Sequence, residues 1–168
     1  MMNYNQKEVG LLKDMKSQEE LCVEKYGKCA KEACDPELKA LFKQIQTQEE
    51  SHVRMIEDLM AGKIPSASSG MGTFSSGMMK SGQSESSSPS VSSNTSSTST
   101  ASDSYTRDKY LCSDTLDTEK HVSSVYNTSV FEFKTPEVRN ILSQIQKEEQ
   151  QHGEKIYQYM AAHGMYQA

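Results

Sequence analysis

The feature that most constrains this chain is a helical pattern that occurs twice, 100 residues apart. "KALFKQIQTQEESHVRMIEDLM" covers residues 39–60, and "RNILSQIQKEEQQHGEKIYQYM" covers residues 139–160. In both stretches apolar residues recur in steps of three and four, the spacing of one face of an α-helix. A Glu and a His three residues later fall on that apolar face in each stretch. These pairs are Glu49 with His52, and Glu149 with His152. A fold for this chain therefore has to bury charged pairs inside a helical core.

The match extends well beyond these two stretches at the same shift of 100. The matching pairs include Leu11/Leu111, Asp14/Asp114, Glu19/Glu119, Tyr26/Tyr126, Pro36/Pro136, Ile45/Ile145, Ile56/Ile156 and Met60/Met160. Repetition at a constant shift is the signature of a repeated structural unit. Duplication of one module is the simplest explanation.

Each half has the pattern of a helical hairpin. The turns are marked by "CDPEL" at 34–38 and "KTPEV" at 134–138. Asp35 and Thr135 are suited to the N-cap, where a side-chain oxygen accepts from a free backbone amide, and a proline follows at the first helical position. Connections this short make the two helices of a hairpin antiparallel neighbours. The predicted helices cover 6–33, 36–61, 105–133 and 136–162.

Between the halves the composition changes sharply. Residues 64–104 consist mostly of Ser, Gly and Thr with few large apolar side chains. Such a segment buries too little apolar surface to offset the entropy cost of ordering it. The predicted organisation is a first hairpin at 6–62, a flexible, disordered Ser-rich linker at 63–104 and a second hairpin at 105–168.

Composition and charge also argue against some classes of protein. The net charge is −5, which argues against a nucleic-acid-binding protein because that class needs a basic surface. The chain has no apolar stretch of the roughly 20 residues that a membrane span requires. The start, "MMNYNQKEVG", lacks the apolar region of a signal peptide, so we expect synthesis in the cytoplasm.

The cysteines form no C-x-x-C pair, which disfavours a zinc ribbon or a redox motif. They are Cys22, Cys29, Cys34 and Cys112. Two interpretations stay open: small buried apolar residues in a reducing compartment, or crosslinks between molecules in an assembly.

The buried seam of each predicted helix carries at least one Glu. Glu19 lies 16 residues before Asp35, whereas Glu49 and His52 lie 14 and 17 residues after it. At about 1.5 Å per residue these three side chains share one level of the hairpin to within roughly 5 Å. The second half repeats this spacing about Thr135. The six residues predicted to converge in mid-bundle are Glu19, Glu49, His52, Glu119, Glu149 and His152.

One Glu from each of two helices and a Glu-x-x-His pair from each of the other two form the ligand set of ferritin-like di-iron and di-manganese bundles. The predicted fold class is therefore all-α, a ferritin-like antiparallel four-helix bundle of two duplicated hairpins. Two divalent ions, iron or manganese, would bind there, with two Glu as bridges and one His on each ion. Tyr26 and Tyr126 would donate hydrogen bonds to ligating carboxylates.

An alternative needs no metal: the same Glu and His side chains form a vestigial polar network in which some carboxyl groups are protonated. His121 and His163 fall outside the pattern and are expected at the surface or the terminus. The charged neighbours of the seam, in "EE" and "KE", are expected on solvated faces.

Two stretches resemble the spore coat F family of endospore-forming Firmicutes. They are "KYLCSDTLDTEKHVSSVYNTSVFE" and "LSQIQKEEQQHGEKIYQYMAAHGMY", and "EEQQHGEKIYQYM" is the most specific part. The resemblance covers about residues 105–166, and residues 6–61 look like a more diverged copy. It implies a ferritin-like protein made in the mother cell and deposited in the spore coat, with other coat proteins as partners.

Three functions follow as expectations. The first is a structural spore coat protein with a dinuclear carboxylate site. The second is an enzyme, a di-iron or di-manganese oxidase or a peroxide-consuming protein. In the third, hairpins pair between chains, which places the site at a homodimer interface.

Overall fold

The structure is a computed structural model, and it describes residues 3–65 and 98–166. These residues form four α-helices and no strand, which confirms the all-α prediction. The helices are α1 (Gln6–Glu32), α2 (Pro36–Met60), α3 (Thr98–Ser129) and α4 (Pro136–Ala162), and a short 3-10 turn at Val130–Glu132 follows α3.

Most of the linker predicted at 63–104 lies outside the described residues. Its last part, 98–104, belongs to α3, which begins before the predicted start at residue 105. The other end of α3 also differs, because the chain tightens into a 3-10 turn before Phe133.

Local hydrogen bonds explain where α1 and α2 begin. Asn5 and Glu8 form a capping box, in which each side chain accepts from the backbone amide of the other, at 2.9 and 2.8 Å. At the start of α2, Asp35 accepts from the amide of Glu37 at 2.7 Å. Thr135 occupies the corresponding position before α4, but its side chain makes no capping hydrogen bond. The expected Thr135 cap is therefore wrong in its hydrogen bond, although α4 does begin at Pro136.

Glycines end α2 and α4. Gly62 and Gly164 have φ values of 73° and 65°, a left-handed conformation that glycine adopts without steric cost. After α2, the amides of Gly62 and Lys63 bond back to carbonyls of the last helical turn at 2.9 and 2.8 Å. This is the Schellman arrangement, which satisfies carbonyls that the helix leaves unpaired.

The helices pack as two antiparallel hairpins, α1 with α2 and α3 with α4, that face each other. The start of α1 lies beside the end of α3, where Lys7 pairs with Glu132 at 2.5 Å. The start of α2 lies beside the end of α4, where the Tyr159 hydroxyl donates to Asp35 at 2.8 Å. Each helix therefore runs antiparallel to its neighbour in the other hairpin, and α2 and α3 run in the same direction.

All four helices contribute to one apolar core, and its burial is the main stabilising term. Its fully buried members include Leu12, Met15, Leu38, Phe42, Ile45, Ile56, Leu142, Ile145 and Ile156. None of the helices in the described ranges is long and apolar enough to cross a membrane.

Two buried carboxylates join the hairpins at their turns. Glu8 accepts from the backbone amide of Lys134 at 3.0 Å. Asp108 accepts from the amides of Cys34 and Asp35 at 2.7 and 2.9 Å. Residues 8 and 108 thus make equivalent contacts across the bundle, each holding the turn of the opposite hairpin. The Glu8 contact secures the turn at which the Thr135 side chain makes no cap.

Candidate metal centre

The six seam residues come together in the middle of the bundle. Each is at most 2% exposed, because its helix places it on the same face as the apolar core residues one turn away. One Glu comes from α1 and one from α3, while α2 and α4 each supply a Glu and a His. The members are Glu19, Glu49, His52, Glu119, Glu149 and His152.

The first half of this cluster, position A, is centred on the His52 ring. Its Nδ1 atom lies 2.8 Å from Glu149 Oε1, 3.3 Å from Glu49 Oε2 and 3.4 Å from Glu19 Oε2. These four residues each offer one ligand atom, and the four atoms lie within 4.8 Å of one another. Position A therefore has three carboxylate oxygens and one imidazole nitrogen around one point.

The second half, position B, repeats this arrangement around His152. Its Nδ1 atom lies 3.0 Å from Glu49 Oε1, 3.4 Å from Glu149 Oε2 and 3.6 Å from Glu119 Oε2. Glu49 and Glu149 thus present one oxygen to each position. The two His rings stack with centroids 5.6 Å apart.

Hydrogen bonding within the cluster indicates whether its residues suit metal ions. Eight buried polar atoms of the cluster make no well-aligned hydrogen bond with any of the described residues, although the closest of them lie 2.8 and 3.0 Å apart. They are Glu19 Oε2, both carboxylate oxygens of Glu49 and of Glu149, Glu119 Oε2 and Nδ1 of both His. Buried polar groups are nearly always satisfied, and leaving them unpaired is costly. A divalent cation at each position would satisfy all eight, and mixed carboxylate and imidazole donors suit iron and manganese.

A second layer of polar side chains orients the His rings. His52 Nε2 lies 2.8 Å from Glu148 Oε2, and His152 Nε2 lies 3.1 Å from Gln48 Oε1. Both partners are acceptors, so Nε2 of each ring donates outward and Nδ1 faces the cluster. The expectation that Glu148 lies on a solvated face is wrong, because its side chain is 17% exposed and contacts His52.

Sequence reasoning missed Glu148 and Gln48 as functional residues. The signal available was their position beside a seam Glu in both repeats. Which side of the seam faces the opposite hairpin depends on how the two hairpins dock, and periodicity within one helix does not contain that information.

The two tyrosines make the hydrogen bonds expected of them, but across the bundle. Tyr26 donates to Glu119 Oε1, and Tyr126 donates to Glu19 Oε1 at 2.5 Å. Each hydroxyl occupies one carboxylate oxygen and leaves the other, Oε2, directed at an ion position. Both rings are at most 1% exposed, so no water competes for these bonds.

The buried carboxylates lie close to each other and to the two His rings, and these surroundings shift their pKa values. Burial raises the pKa of Glu19 and of Glu119 to about 8. Burial opposes the ionisation of Glu149 too, but contacts from His152 and His52 outweigh it and lower its pKa. Burial alone would lower the pKa of His52, whereas its carboxylate neighbours raise it well above the usual value. The centre has an excess of buried negative charge that only protons or cations can neutralise.

A surface depression between α3 and α4 reaches the cluster. Its volume is about 410 Å³, and its lining includes Glu119, Glu149 and Gly153. The equivalent depression between α1 and α2, about 300 Å³, is lined by Val23 and Val53 among others and reaches none of the six residues. Gly153 occupies the position equivalent to Val53. Because glycine is smaller than valine, the depression between α3 and α4 extends to the cluster.

The remaining candidates lie apart from this centre. His121 is exposed, and His163 stacks on Tyr159 with ring centroids 4.0 Å apart. All four cysteines are unpaired thiols, of which Cys34 alone is exposed. The burial of the other three agrees with small apolar core residues, and Cys34 is the thiol open to crosslinking.

Comparison with known proteins gives one family. Residues 107–168 match the family model described as the Coat F domain. The resemblance to the spore coat F family is confirmed for this segment, which contains most of α3 and all of α4. No curated protein and no solved structure is significantly similar to the chain.

Proposed function

Because residues 107–168 match the Coat F domain model, we propose that this protein is a structural component of the spore coat whose bundle holds two divalent metal ions. This match supports a coat location and coat proteins as partners. The buried cluster of Glu and His supports the metal centre. Synthesis in the mother-cell cytoplasm is a further part of the proposal, and pairing of hairpins between two chains of a homodimer is an alternative way to build the same bundle.

The proposed fold is a ferritin-like bundle built by duplication of one hairpin. Ferritin-like bundles have one long crossover, and α2 and α3 run in the same direction with residues 61–97 between them. Duplication is supported by contacts that recur at a shift of 100. Examples are Glu8 and Asp108 at the turns, and Tyr26 and Tyr126 at the cluster.

One observation carries the metal proposal: the eight buried atoms that make no hydrogen bond with the described residues. A metal-free polar network is the competing explanation, and in such a network these atoms would pair with each other or with water. Two bound cations would supply positive charge that ties both hairpins together, because each position draws ligands from both. Glu49 and Glu149 would bridge, Glu19 and Glu119 would each bind one ion, and both His would bind through Nδ1.

A second candidate function is an oxidase or a peroxide-consuming enzyme. The observation that favours it is the depression beside Gly153, whose lining includes Glu119 and Glu149. The ions would supply redox and Lewis-acid chemistry there. The tyrosines and the outer partners of the His rings would hold the ligands in place, and the apolar core would exclude bulk water.

The metal proposal is tested by counting metal per chain. The protein is purified from a host supplied with iron and manganese, and bound metal is measured by mass spectrometry. We expect about two ions per chain, one for each ligand group. Glu49→Gln should lose most of the metal, whereas the matched change at its exposed neighbour, Glu50→Gln, should not. Wild-type protein with almost no metal would contradict the metal centre and leave a purely structural bundle.

Two further measurements separate the coat role from the enzyme. Spores of a strain lacking the gene should show altered coat morphology or reduced lysozyme resistance, and normal spores would count against the structural role. Oxygen or peroxide consumption after Fe(II) addition would favour the enzyme. Metal-loaded protein that consumes neither would exclude these reactions.

A further inference from the structure

We infer that the two ion positions are unequal, and that position A, around His52, takes the first ion with higher affinity than position B, around His152. This inference rests on the proposed metal centre and goes beyond it. It concerns the side chains around the ligands, which differ between the two halves although the ligands do not.

The inner ligands give neither position an advantage. A shift of 100 exchanges Glu19 with Glu119 and His52 with His152, while Glu49 and Glu149 are shared by both positions. Each position therefore has three carboxylates and one imidazole. The two tyrosines also exchange with each other, so their hydrogen bonds do not favour either position.

The outer partners of the His rings break this symmetry. His52 Nε2 contacts the carboxylate of Glu148 at 2.8 Å, whereas His152 Nε2 contacts the amide oxygen of Gln48 at 3.1 Å. Residues 48 and 148 are equivalent in the repeat, so one position carries an ionisable partner where the other carries a neutral one. A carboxylate partner makes an imidazole a stronger metal ligand than an amide does. It also adds a negative charge near the ion.

The side chains at the equivalent positions 155 and 55 increase the difference between the two ion positions. Lys155 Nζ donates to Gln48 Oε1 at 3.2 Å, which places a cation beside the outer bond of position B. Its equivalent near position A is Met55, a neutral side chain that is 4% exposed. Gln144 donates to the second oxygen of Glu148 at 3.0 Å and holds that carboxylate in place. The His ring of position A thus contacts a carboxylate, whereas that of position B contacts an amide that accepts from Lys155, and Lys155 lies near Glu148 as well.

The effect is measurable in the wild-type protein. Metal-free protein is titrated with Mn(II) chloride and followed by calorimetry, with bound manganese counted after gel filtration. We expect two binding steps, and a separation of about 10- to 100-fold between the two dissociation constants, the usual effect of an outer partner on metal affinity.

Variants assign each step to a position. His152→Ala removes the imidazole of position B, and His52→Ala removes that of position A. The protein that retains position A should bind its ion more tightly than the protein that retains position B. Combined with His152→Ala, Glu148→Gln should weaken manganese binding at position A. Combined with His52→Ala, Gln48→Glu should tighten manganese binding at position B.

The decisive variant exchanges the outer partners, Glu148→Gln with Gln48→Glu, which conserves net charge. It should reduce or reverse the difference between the positions. Glu154→Gln is the matched control, because it removes an exposed acid from the same helix as Glu148 and should leave both constants unchanged. Circular dichroism confirms that each variant is folded.

Three outcomes are distinguishable. Equal affinities at the two isolated positions, or an exchange variant that behaves like wild type, would overturn this inference and leave the metal centre intact. Tighter binding at position B would also overturn it. No manganese on the wild-type protein would overturn the proposed function itself, and this inference with it.

Discussion

At the scale of single residues, each tyrosine hydroxyl makes a buried hydrogen bond to a carboxylate of the cluster. Tyr126 is 1% exposed and donates to Glu19 Oε1, while Glu19 Oε2 makes no hydrogen bond with the described residues. Tyr126→Phe removes the donor and leaves a second buried oxygen unpaired. We expect a loss of about 1–3 kcal/mol in the unfolding free energy of the metal-free protein.

Urea unfolding measures this loss as a lower midpoint at an unchanged slope. Tyr26→Phe should behave alike, because its hydroxyl bonds Glu119 in the same way. Tyr110→Phe is the control, since Tyr110 is 69% exposed and its change should stay within about 0.5 kcal/mol. Equal midpoints for Tyr110→Phe and Tyr126→Phe would show that the hydroxyl bond contributes nothing.

Glu8 gives a residue-scale prediction about pH. Its burial opposes ionisation, but hydrogen bonds from the amides of Lys134 and Asn5 outweigh this and hold its pKa below the usual 4.5. A carboxyl whose pKa falls on folding stabilises the protein above its unfolded pKa and loses that contribution as pH drops through the folded value. The stability difference between wild type and Glu8→Gln should therefore shrink on acidification. Urea unfolding from about pH 7 to about pH 3 tests this, and a difference that grows toward acid would contradict it.

At the scale of helices, the local turn signals located the starts of α2 and α4, although the Thr135 side chain makes no cap. Asp35 and Pro36 predict the start of α2, and the structure begins it at Pro36. The start of α3 has no such signal, and its first residues at 98–104 resemble the linker in composition. Extending a helix that already exists adds a hydrogen bond for each residue ordered, without a new nucleation cost. Composition alone could not predict that extension.

A second prediction at this scale concerns Gly153 on α4. A Cβ there would lie 3.6 Å from Glu119 Cβ and from Leu116 Cδ1, which is ordinary contact. The larger Gly153→Val side chain, the residue found at position 53, would fill the depression that reaches Glu119. We expect slower Mn(II) uptake by stopped-flow mixing, with the final amount bound unchanged. Val53→Gly is the matched control and should not slow uptake, and equal rates for Gly153→Val and wild type would exclude this route.

At the scale of the whole molecule, the sequence predicts two hairpins and a shared seam, because both follow from periodicity within each half. Periodicity within each half does not predict which residues join the two hairpins. Glu8 contacts Lys134 and Asp108 contacts Cys34, and residues so distant in the chain become partners only through docking. The convergence of the six seam residues was predictable because similar distances from the two turns place them near one level.

The last prediction follows from how the ligands divide between the hairpins. Position A takes Glu19, Glu49 and His52 from the first hairpin but Glu149 from the second, and position B has the reverse division. Ions bound at these positions would therefore stabilise the docking of one hairpin on the other. An Mn(II) ion at 100 times the dissociation constant of its position should add about 2.7 kcal/mol to the unfolding free energy, and each occupied position contributes its own amount.

A specific protease site inserted between residues 65 and 98 makes this docking measurable. After cleavage, the two halves are gel-filtered together in increasing urea, with Mn(II) or with a chelator. Manganese should raise the urea concentration at which the halves separate, because separation breaks the ligand set of both positions at once. Glu149→Gln removes a carboxylate that both positions share and should abolish the shift, whereas Glu50→Gln, at an exposed position on α2, should preserve it. An identical separation point with and without manganese would mean that apolar packing and the turn contacts hold the hairpins together without help from the ions.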